Sequence, residues 1–152
     1  YNAKATFFCV GKNVEKQPAI FKQIIRQGHS VGNHTYHHPG GWRTPVKKYL
    51  ADVEKCAELV HSKLFRPPYG TLKPSQYSRL ITQYSIIMWD VISGDFDRKL
   101  AKEKCLVICI RYTRNGSIIG FHDSVKAEEK LKYVLPQYLK HFSSQGYRFE
   151  AL

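Results

Sequence analysis

Short strand-like segments alternate with longer helical segments along all 152 residues, and this alternation constrains the fold more than any other feature of the chain. The strand-like segments are residues 3–10, 29–33, 64–66, 85–91, 117–121 and 147–149. Consecutive parallel strands need a crossover connection, usually a helix, so the alternation predicts an α/β fold. The pattern leaves open whether the strands form an open doubly wound sheet or a closed barrel. No repeat or linker divides the sequence, so we expect one domain over residues 1–152.

The helical segments show apolar residues spaced by three and four positions. The clearest one begins with Thr44 as the expected N-cap and Pro45 as the expected first helical residue. Its apolar positions are Val46, Leu50, Val53, Ala57, Val60 and Leu64. A second helix is predicted from Ser124 to near Gly146. Residues 99–112 also suit a strand, but we predict a helix because the parallel strands on either side need a crossover.

The composition limits the classes of partner. The chain has 24 Lys and Arg against 12 Asp and Glu, a net charge of +12 that would attract nucleic acid, an acidic polymer or an anionic membrane surface. These charges are scattered, so a basic domain without such a partner is an equal alternative. The longest apolar run, residues 105–110, is far shorter than the ~20 residues that span a bilayer. No signal peptide is recognisable, and because the chain begins at Tyr1 we expect further sequence upstream.

The four cysteines show no spacing typical of a redox or zinc motif. They lie among apolar neighbours at positions 9, 56, 105 and 109. We predict buried free thiols, with disulfides as the open alternative.

Polar side chains stand at the ends of four predicted strands. His34 follows the second strand, Arg66 closes the third, Asp95 follows the fourth and His122 follows the fifth. Sites in parallel sheets and barrels lie at the carboxyl ends of the strands. We therefore expect these four side chains to converge at one face of the fold.

His34 and His38 are candidate metal ligands. They stand four residues apart, so a single helical turn would place both imidazoles on one side, as two nitrogen ligands of a divalent ion require. Pro39 and the glycines at 40 and 41 prevent a long helix, which predicts a tight loop or a single turn after the strand. The alternative is a surface cluster of histidines without a metal.

Two further segments could carry catalytic groups. Arg66 precedes two prolines, and the rigid turn could aim its guanidinium at a carboxylate and present the N–H of Tyr69 to an oxyanion. Either Asp90 or Asp95 could orient a histidine, and a carboxylate beside His122 would favour the protonated imidazole that a general acid needs. The alternatives are structural turns and a core histidine.

Taken together and in this order, these segments resemble the polysaccharide deacetylase family, also called the NodB-homology or carbohydrate esterase family 4 domain. Residues 34–38 (HTYHH) match its second motif, and residues 66–70 (RPPYG) its third. Asp95 fits the fourth motif, with Phe96 where the family has Trp. Residues 120–122 (GFH) align with the fifth, with Gly where the family usually has Leu. Residues 3–8 resemble the family's second strand, so the likeness runs essentially from end to end.

The resemblance implies a distorted seven-stranded (β/α) barrel. The family's first motif, Thr-Phe-Asp-Asp-Gly on the first strand, does not occur in the sequence. The chain therefore resembles a NodB-homology domain without its first strand. The aspartates of that motif, which act as the catalytic base and as the third metal ligand, are expected upstream of Tyr1.

The resemblance also implies an activity, the metal-dependent hydrolysis of acetyl groups from an N-acetylated or O-acetylated carbohydrate. His34 and His38 would hold a divalent ion, expected to be zinc. Arg66 would orient the catalytic base, and His122, paired with Asp95, would protonate the leaving amine. The implied substrate-binding residues are Tyr69, Phe96 and Phe121. Exported or envelope-facing forms are common among similar proteins.

Two other classes of function remain open at this stage. One is a carbohydrate-binding barrel that has lost the chemistry. The other is a nucleic-acid-binding domain, suggested by the charge of +12 and ten tyrosines, although the chain contains no recognised nucleic-acid-binding motif. We expect an acetylated glycan and not a nucleic acid as the partner.

Overall fold

The computed structural model describes residues 1–152 and contains six short strands and six α-helices. The strands are β1 (Thr6–Cys9), β2 (Ser30–Asn33), β3 (Leu64–Phe65), β4 (Ser85–Ile86), β5 (Val91–Ile92) and β6 (Ile119–Gly120). The helices are α1 (Gly11–Lys16), α2 (Pro18–Arg26), α3 (Val46–Ala57), α4 (Pro74–Leu80), α5 (Lys102–Tyr112) and α6 (Glu128–Ser143). All strand pairs are parallel, which confirms the predicted α/β fold.

The chain divides into two compact units. The amino-terminal unit comprises residues 4–88 and 150–152, and the carboxy-terminal unit comprises residues 1–3 and 89–149. The expectation of a single domain stays a prediction.

The amino-terminal unit is built on a four-stranded sheet in the order β1-β2-β3-β4. Its register pairs Cys9 with Asn33, Asn33 with Phe65, and Phe65 with Ile86, so the last residues of the four strands lie side by side. Residues that follow these strands are therefore brought to one edge of the sheet. Helix α3 packs on the sheet through side chains that belong to two apolar clusters, namely Tyr49, Val53 and Cys56.

The carboxy-terminal unit pairs β5 with β6, so that Val91 lies opposite Ile119 and Ile92 opposite Gly120. Helices α5 and α6 supply its apolar core, which consists of Cys105, Cys109, Val134, Tyr138 and Phe142. All four cysteines of the chain are free thiols, as predicted, although Cys9 is only half-buried.

The predicted strand over residues 85–91 is in fact two strands, β4 and β5. The carbonyl oxygens of Ile87 and Met88, between the two strands, accept hydrogen bonds from the Arg66 guanidinium, at 3.0 and 2.9 Å. Residues 87–90 thus separate the two strands, and β4 ends at Ile86.

The predicted strand over residues 147–149 is wrong, since this segment has no regular structure. Its aromatic side chains pack on α6 instead. The rings of Tyr147 and Phe142 lie 5.0 Å apart, and those of Phe149 and Tyr138 lie 6.1 Å apart. The apolar residues that suggested a strand thus belong to the helical core.

The three predicted helices exist, with shifted ends. Helix α3 begins at Val46, and Pro45, not Thr44, is its N-cap. The hydroxyl of Thr44 donates to the carbonyl of Gly40 at 2.8 Å, so it does not cap the helix. The segment 99–112 is confirmed as helix α5, and the helix predicted after Ser124 is α6. None of the helices combines the length and apolar character that crossing a bilayer requires.

Candidate active site

The two candidate metal ligands lie on the loop that follows β2. His34 is the first residue after the strand, and its backbone N–H donates to the carbonyl of Cys9 at 3.1 Å. The ring centroids of His34 and His38 are 4.8 Å apart, with 65° between the ring planes. The loop brings the two imidazoles together without a helical turn, because Thr35 and His38 both adopt left-handed backbone conformations, each with φ of 62°.

A hydrogen bond fixes the tautomer of His34. Its Nδ1 lies 2.6 Å from the carbonyl oxygen of Arg66, which can only accept, so Nδ1 carries the proton. The lone pair is then on Nε2, the nitrogen that would bind a metal. Metal-ligating histidines typically donate their other ring N–H to a carbonyl or carboxylate in this way.

The loop that carries Tyr69 packs against His38. The rings of His38 and Tyr69 lie 4.8 Å apart at 66°. Tyr69 lies in a 3₁₀ turn (Pro68–Gly70) and is 70% exposed, with φ of 58°. Left-handed backbone at non-glycine residues is strained and persists only where the surroundings enforce it. Three of the four such residues in the chain lie in these two loops.

Arg66 is the first residue after β3 and is held by its neighbours. Besides the carbonyls of Ile87 and Met88, its guanidinium contacts the ring of Phe8, with 4.1 Å between Cζ and the ring centroid. Burial lowers the pKa of Arg66 to about 10, so the side chain is still a cation at neutral pH. The structure thus places a positive charge at the same sheet edge as His34.

Three buried or half-buried polar residues that the sequence did not single out hold these loops. Asn33 is fully buried, accepts the N–H of Thr35 at 2.9 Å and donates to the carbonyl of Val53 at 3.0 Å. Gln76 is also fully buried and donates to the carbonyls of Gly41 and Thr44, at 3.1 Å each. Asp52 contacts residues 36 and 37. Only Asn33 gives a sequence signal, since an asparagine at the end of a strand is typical of an Asx turn.

In the carboxy-terminal unit, Asp95 and His122 form a pair. Asp95 is fully buried, and its Oδ1 lies 2.8 Å from Nδ1 of His122. Its Oδ2 accepts the backbone N–H of His122 at 2.7 Å. One carboxylate therefore fixes both the backbone and the ring of the histidine, whose side chain is 44% exposed.

The two phenylalanines predicted to bind substrate have different surroundings. The ring of Phe96 lies 4.9 Å from that of His122 at 71°, and Phe96 is 40% exposed. Phe121 packs on the core, with its ring 5.8 Å from that of Tyr138. A Cβ at Gly120, where the family has Leu, would lie 2.8 Å from Cδ1 of Ile92, which is the end of a flexible side chain.

The residues thus form two sets, one in each unit. His34, His38, Arg66 and Tyr69 come together in the amino-terminal unit, and Asp95, Phe96 and His122 come together in the carboxy-terminal unit. That both sets face one cavity stays a prediction. The two imidazoles, one of them fixed in the ligating tautomer, fit a divalent metal ion as nitrogen ligands. Residues 1–152 contain no group of three or more His, Cys, Asp or Glu side chains that could hold a metal ion.

Comparison with known proteins places the chain in a family. The sequence profile of the polysaccharide deacetylases matches residues 1–85. Two peptidoglycan-N-acetylglucosamine deacetylases of Bacillus cereus are similar to the chain. One is 37% identical over 103 residues, which is 63% of this chain and 38% of that protein. The other is 28% identical over 156 residues, which is 98% of this chain and 73% of that protein.

The peptidoglycan-N-acetylmuramic acid deacetylase PdaC of Bacillus subtilis is 26% identical over 155 residues, covering 97% of this chain. The structure of PdaC superposes with a TM-score of 0.88 at 25% identity, over 100% of this chain and 75% of that one. The chain spans 32% of the length of PdaC and 38% of the first Bacillus cereus enzyme, about a third of each. The profile covers more than half of this chain, and the fold of PdaC matches over the whole length of this chain. This chain therefore belongs to the polysaccharide deacetylase family.

Proposed function

We propose that the protein is a metal-dependent deacetylase that removes acetyl groups from the N-acetylated amino sugars of peptidoglycan. The observation that carries this proposal is the pair of imidazoles at the sheet edge, with His34 fixed as an Nε2 ligand by the carbonyl of Arg66. The names of the matched relatives support peptidoglycan as the substrate class, and they differ in whether the sugar is N-acetylglucosamine or N-acetylmuramic acid.

We also propose that the chain forms part of a distorted seven-stranded (β/α) barrel. The sequential order of β1 to β4 supports this architecture, because doubly wound sheets reverse their strand order at a switch point. In a barrel, catalytic residues come from the carboxyl ends of several strands. That is the arrangement proposed for His34, Arg66 and His122.

The proposed mechanism begins with metal binding. His34 and His38 would hold the ion through imidazole nitrogen, and we propose zinc because four-coordinate sites with histidine ligands are typical of it. When bound, the ion would act as a Lewis acid toward the acetamide carbonyl and the attacking water. The third ligand and the base would come from the aspartates of the family's first motif, whose sequence does not occur in residues 1–152.

The chain's own residues would then stabilise charge and move a proton. Water would attack the carbonyl carbon and give a tetrahedral oxyanion, which the N–H of Tyr69 would stabilise. Arg66 would orient the carboxylate that takes the water proton. As the C–N bond breaks, protonated His122 would donate its proton to the leaving amine, while Asp95 holds the ring. The products are acetate and the free amino sugar.

Acetate release tests the proposal. The natural full-length protein is incubated with peptidoglycan and with N-acetylglucosamine oligomers, with added Zn²⁺ or with a chelator. We expect zinc-dependent acetate release that is lost in His34→Gln and in His38→Gln, but kept in the matched control His61→Gln. His61 is an exposed histidine after α3. Acetate release that persists in both ligand variants would contradict the proposal. Glycan binding without acetate release would favour an inactive carbohydrate-binding barrel.

A further inference from the structure

We propose that Asp52 is a positioning residue that holds the histidine loop in its metal-binding conformation. The histidine loop comprises residues 34–38. The proposal rests on the proposed metal site, and no motif of the sequence points to Asp52. It predicts that metal affinity depends on a side chain that does not touch the metal.

The carboxylate of Asp52 contacts the loop at three points. Its Oδ2 accepts the backbone N–H groups of Tyr36 and His37, at 2.9 Å each. Its Oδ1 lies 2.6 Å from Nδ1 of His37. The side chain of Asp52 is only 12% exposed. One nearly buried carboxylate thus binds two of the three residues between the candidate ligands.

The anchor for these contacts is rigid. Asp52 lies in the middle of α3, next to Val53, which is 1% exposed. The same helix also accepts the bond from Asn33 Nδ2 at the Val53 carbonyl, 3.0 Å long. Helix α3 therefore binds the chain directly before the loop through Asn33 and the middle of the loop through Asp52.

The loop needs such an anchor because its conformation is strained. Thr35 and His38 have φ of 62°, and Thr35 is β-branched, which makes this region especially unfavourable. Without contacts that enforce it, the loop would relax toward ordinary backbone conformations and separate the two imidazoles. Within the loop, the bond from the His38 N–H to Oγ1 of Thr35, 3.0 Å long, reinforces the turn.

Other charged groups near the loop bind elsewhere. Glu15 accepts from the hydroxyl of Tyr36 at 2.5 Å, and Lys55 lies over the ring of Tyr36, with 3.9 Å from Nζ to the ring centroid. Both act on the side chain of Tyr36. Asp52 is the acidic residue that binds the backbone, so its replacement should affect the loop in a different way.

An Asp52→Asn substitution separates geometry from charge. The Asn oxygen can accept both backbone N–H groups, and its NH₂ group can donate to Nδ1 of His37, which accepts when the proton is on Nε2. The amide thus keeps the side chain's hold on the backbone, whereas Asp52→Ala leaves only the bond from the Tyr36 N–H to the backbone carbonyl of residue 52, 3.1 Å long. If position matters more than charge, Asn should restore most of what Ala loses.

Metal titration tests the proposal. Zn²⁺ binding is measured by competition with a chromophoric chelator, and the site is monitored by the visible absorption of bound Co²⁺. We expect Asp52→Ala to weaken Zn²⁺ binding about 10- to 100-fold and to change the Co²⁺ spectrum, as loss of residues that support metal ligands typically does. Asp52→Asn should stay within roughly tenfold of the parent and keep its spectrum. Glu54→Ala, an exposed position on the same helix, is the matched control.

The possible outcomes are distinct. An Asp52→Ala variant that folds and binds Zn²⁺ with the affinity of the parent would overturn the proposal. A loss of Zn²⁺ affinity in Asp52→Asn as large as that in Asp52→Ala would also overturn it. If Asp52→Ala does not fold, Asp52→Glu is used in its place, because glutamate keeps the charge but displaces the carboxylate. A Zn²⁺ affinity of Asp52→Glu equal to that of the parent would also overturn the proposal. If the parent binds Zn²⁺ and His34→Gln does not, the proposed metal site stands whatever Asp52 does. A parent that binds no Zn²⁺ would instead contradict the proposed function itself.

Discussion

An Asp95→Asn substitution would test the proposed proton donor most directly. In the parent, two donors face the buried carboxylate, the backbone N–H of His122 and its ring Nδ1. The Asn side chain has one acceptor oxygen and one NH₂ group, so it can satisfy the backbone N–H only by turning the NH₂ group toward the ring. That arrangement suits an unprotonated Nδ1 and opposes the doubly protonated imidazolium.

The expected size of the effect follows from the bond that is lost. A hydrogen bond to a charged group contributes about 1.5–3 kcal/mol. Because about 1.36 kcal/mol corresponds to a factor of ten in rate, the loss of this bond from the imidazolium should lower kcat about 10- to 150-fold. The Zn²⁺ content should not change, because the proposed ligands are His34 and His38.

The assay is acetate release by the natural full-length protein from an N-acetylglucosamine oligomer, measured between pH 6 and pH 9. We expect Asp95→Asn to show this deficit across the range, since the amide cannot accept a hydrogen bond from the ring Nδ1–H while its oxygen accepts the backbone N–H of His122. Asp97→Asn is the control, because Asp97 is an exposed residue of the same loop whose side chain accepts the N–H of Lys99, at 2.9 Å. A kcat within twofold of the parent at high pH, or loss of zinc, would refute the assigned roles.

Two further predictions concern stability. The hydroxyl of Tyr49 is buried without a hydrogen-bond partner among the protein's atoms, so Tyr49→Phe should raise the free energy of unfolding by about 1–3 kcal/mol in urea denaturation, and a decrease would show that the hydroxyl is paired. Hydrogen bonds from the Ser117 hydroxyl and the Ile118 N–H lower the pKa of Asp90, so its stabilising effect is present above about pH 4 and is lost as the pH falls through the lowered value. Asp90→Asn should therefore be less stable than the parent at pH 7 and equal to it in strong acid, and a difference that is independent of pH would contradict this.

The residues that could be predicted from the sequence carry strong local signals. The spacing of His34 and His38 and the two prolines after Arg66 mark loops directly after strands, and the aligned ends of β2 and β3 confirm that these loops share one edge. Parallel topology could also be predicted, because helical segments separate the strands. These features depend on residues close together in the chain.

What the sequence did not indicate depends on contacts between distant residues. The segment 85–91 has the apolar composition of a strand, but it forms two strands, and between them the carbonyls of residues 87 and 88 accept hydrogen bonds from the side chain of Arg66, 21 positions before Ile87. Asp52 reads as an ordinary polar residue of an amphipathic helix, and its partners lie 15 and 16 positions earlier. Neither contact leaves a periodic or compositional trace, so only the folded arrangement reveals it.

The left-handed residues beside the candidate ligands imply a conflict between heat resistance and catalysis. Glycine at position 69 would relieve backbone strain of the order of 1 kcal/mol and would let its loop sample more conformations, whereas glycine at position 35 would also remove the buried Thr35 side chain that accepts the His38 N–H. Selection for a higher melting temperature alone would tend to favour such relief, whereas selection for turnover would oppose it. The conformation of Tyr69 therefore marks where this protein should resist thermal improvement, and where a stabilised descendant should first lose the proposed activity.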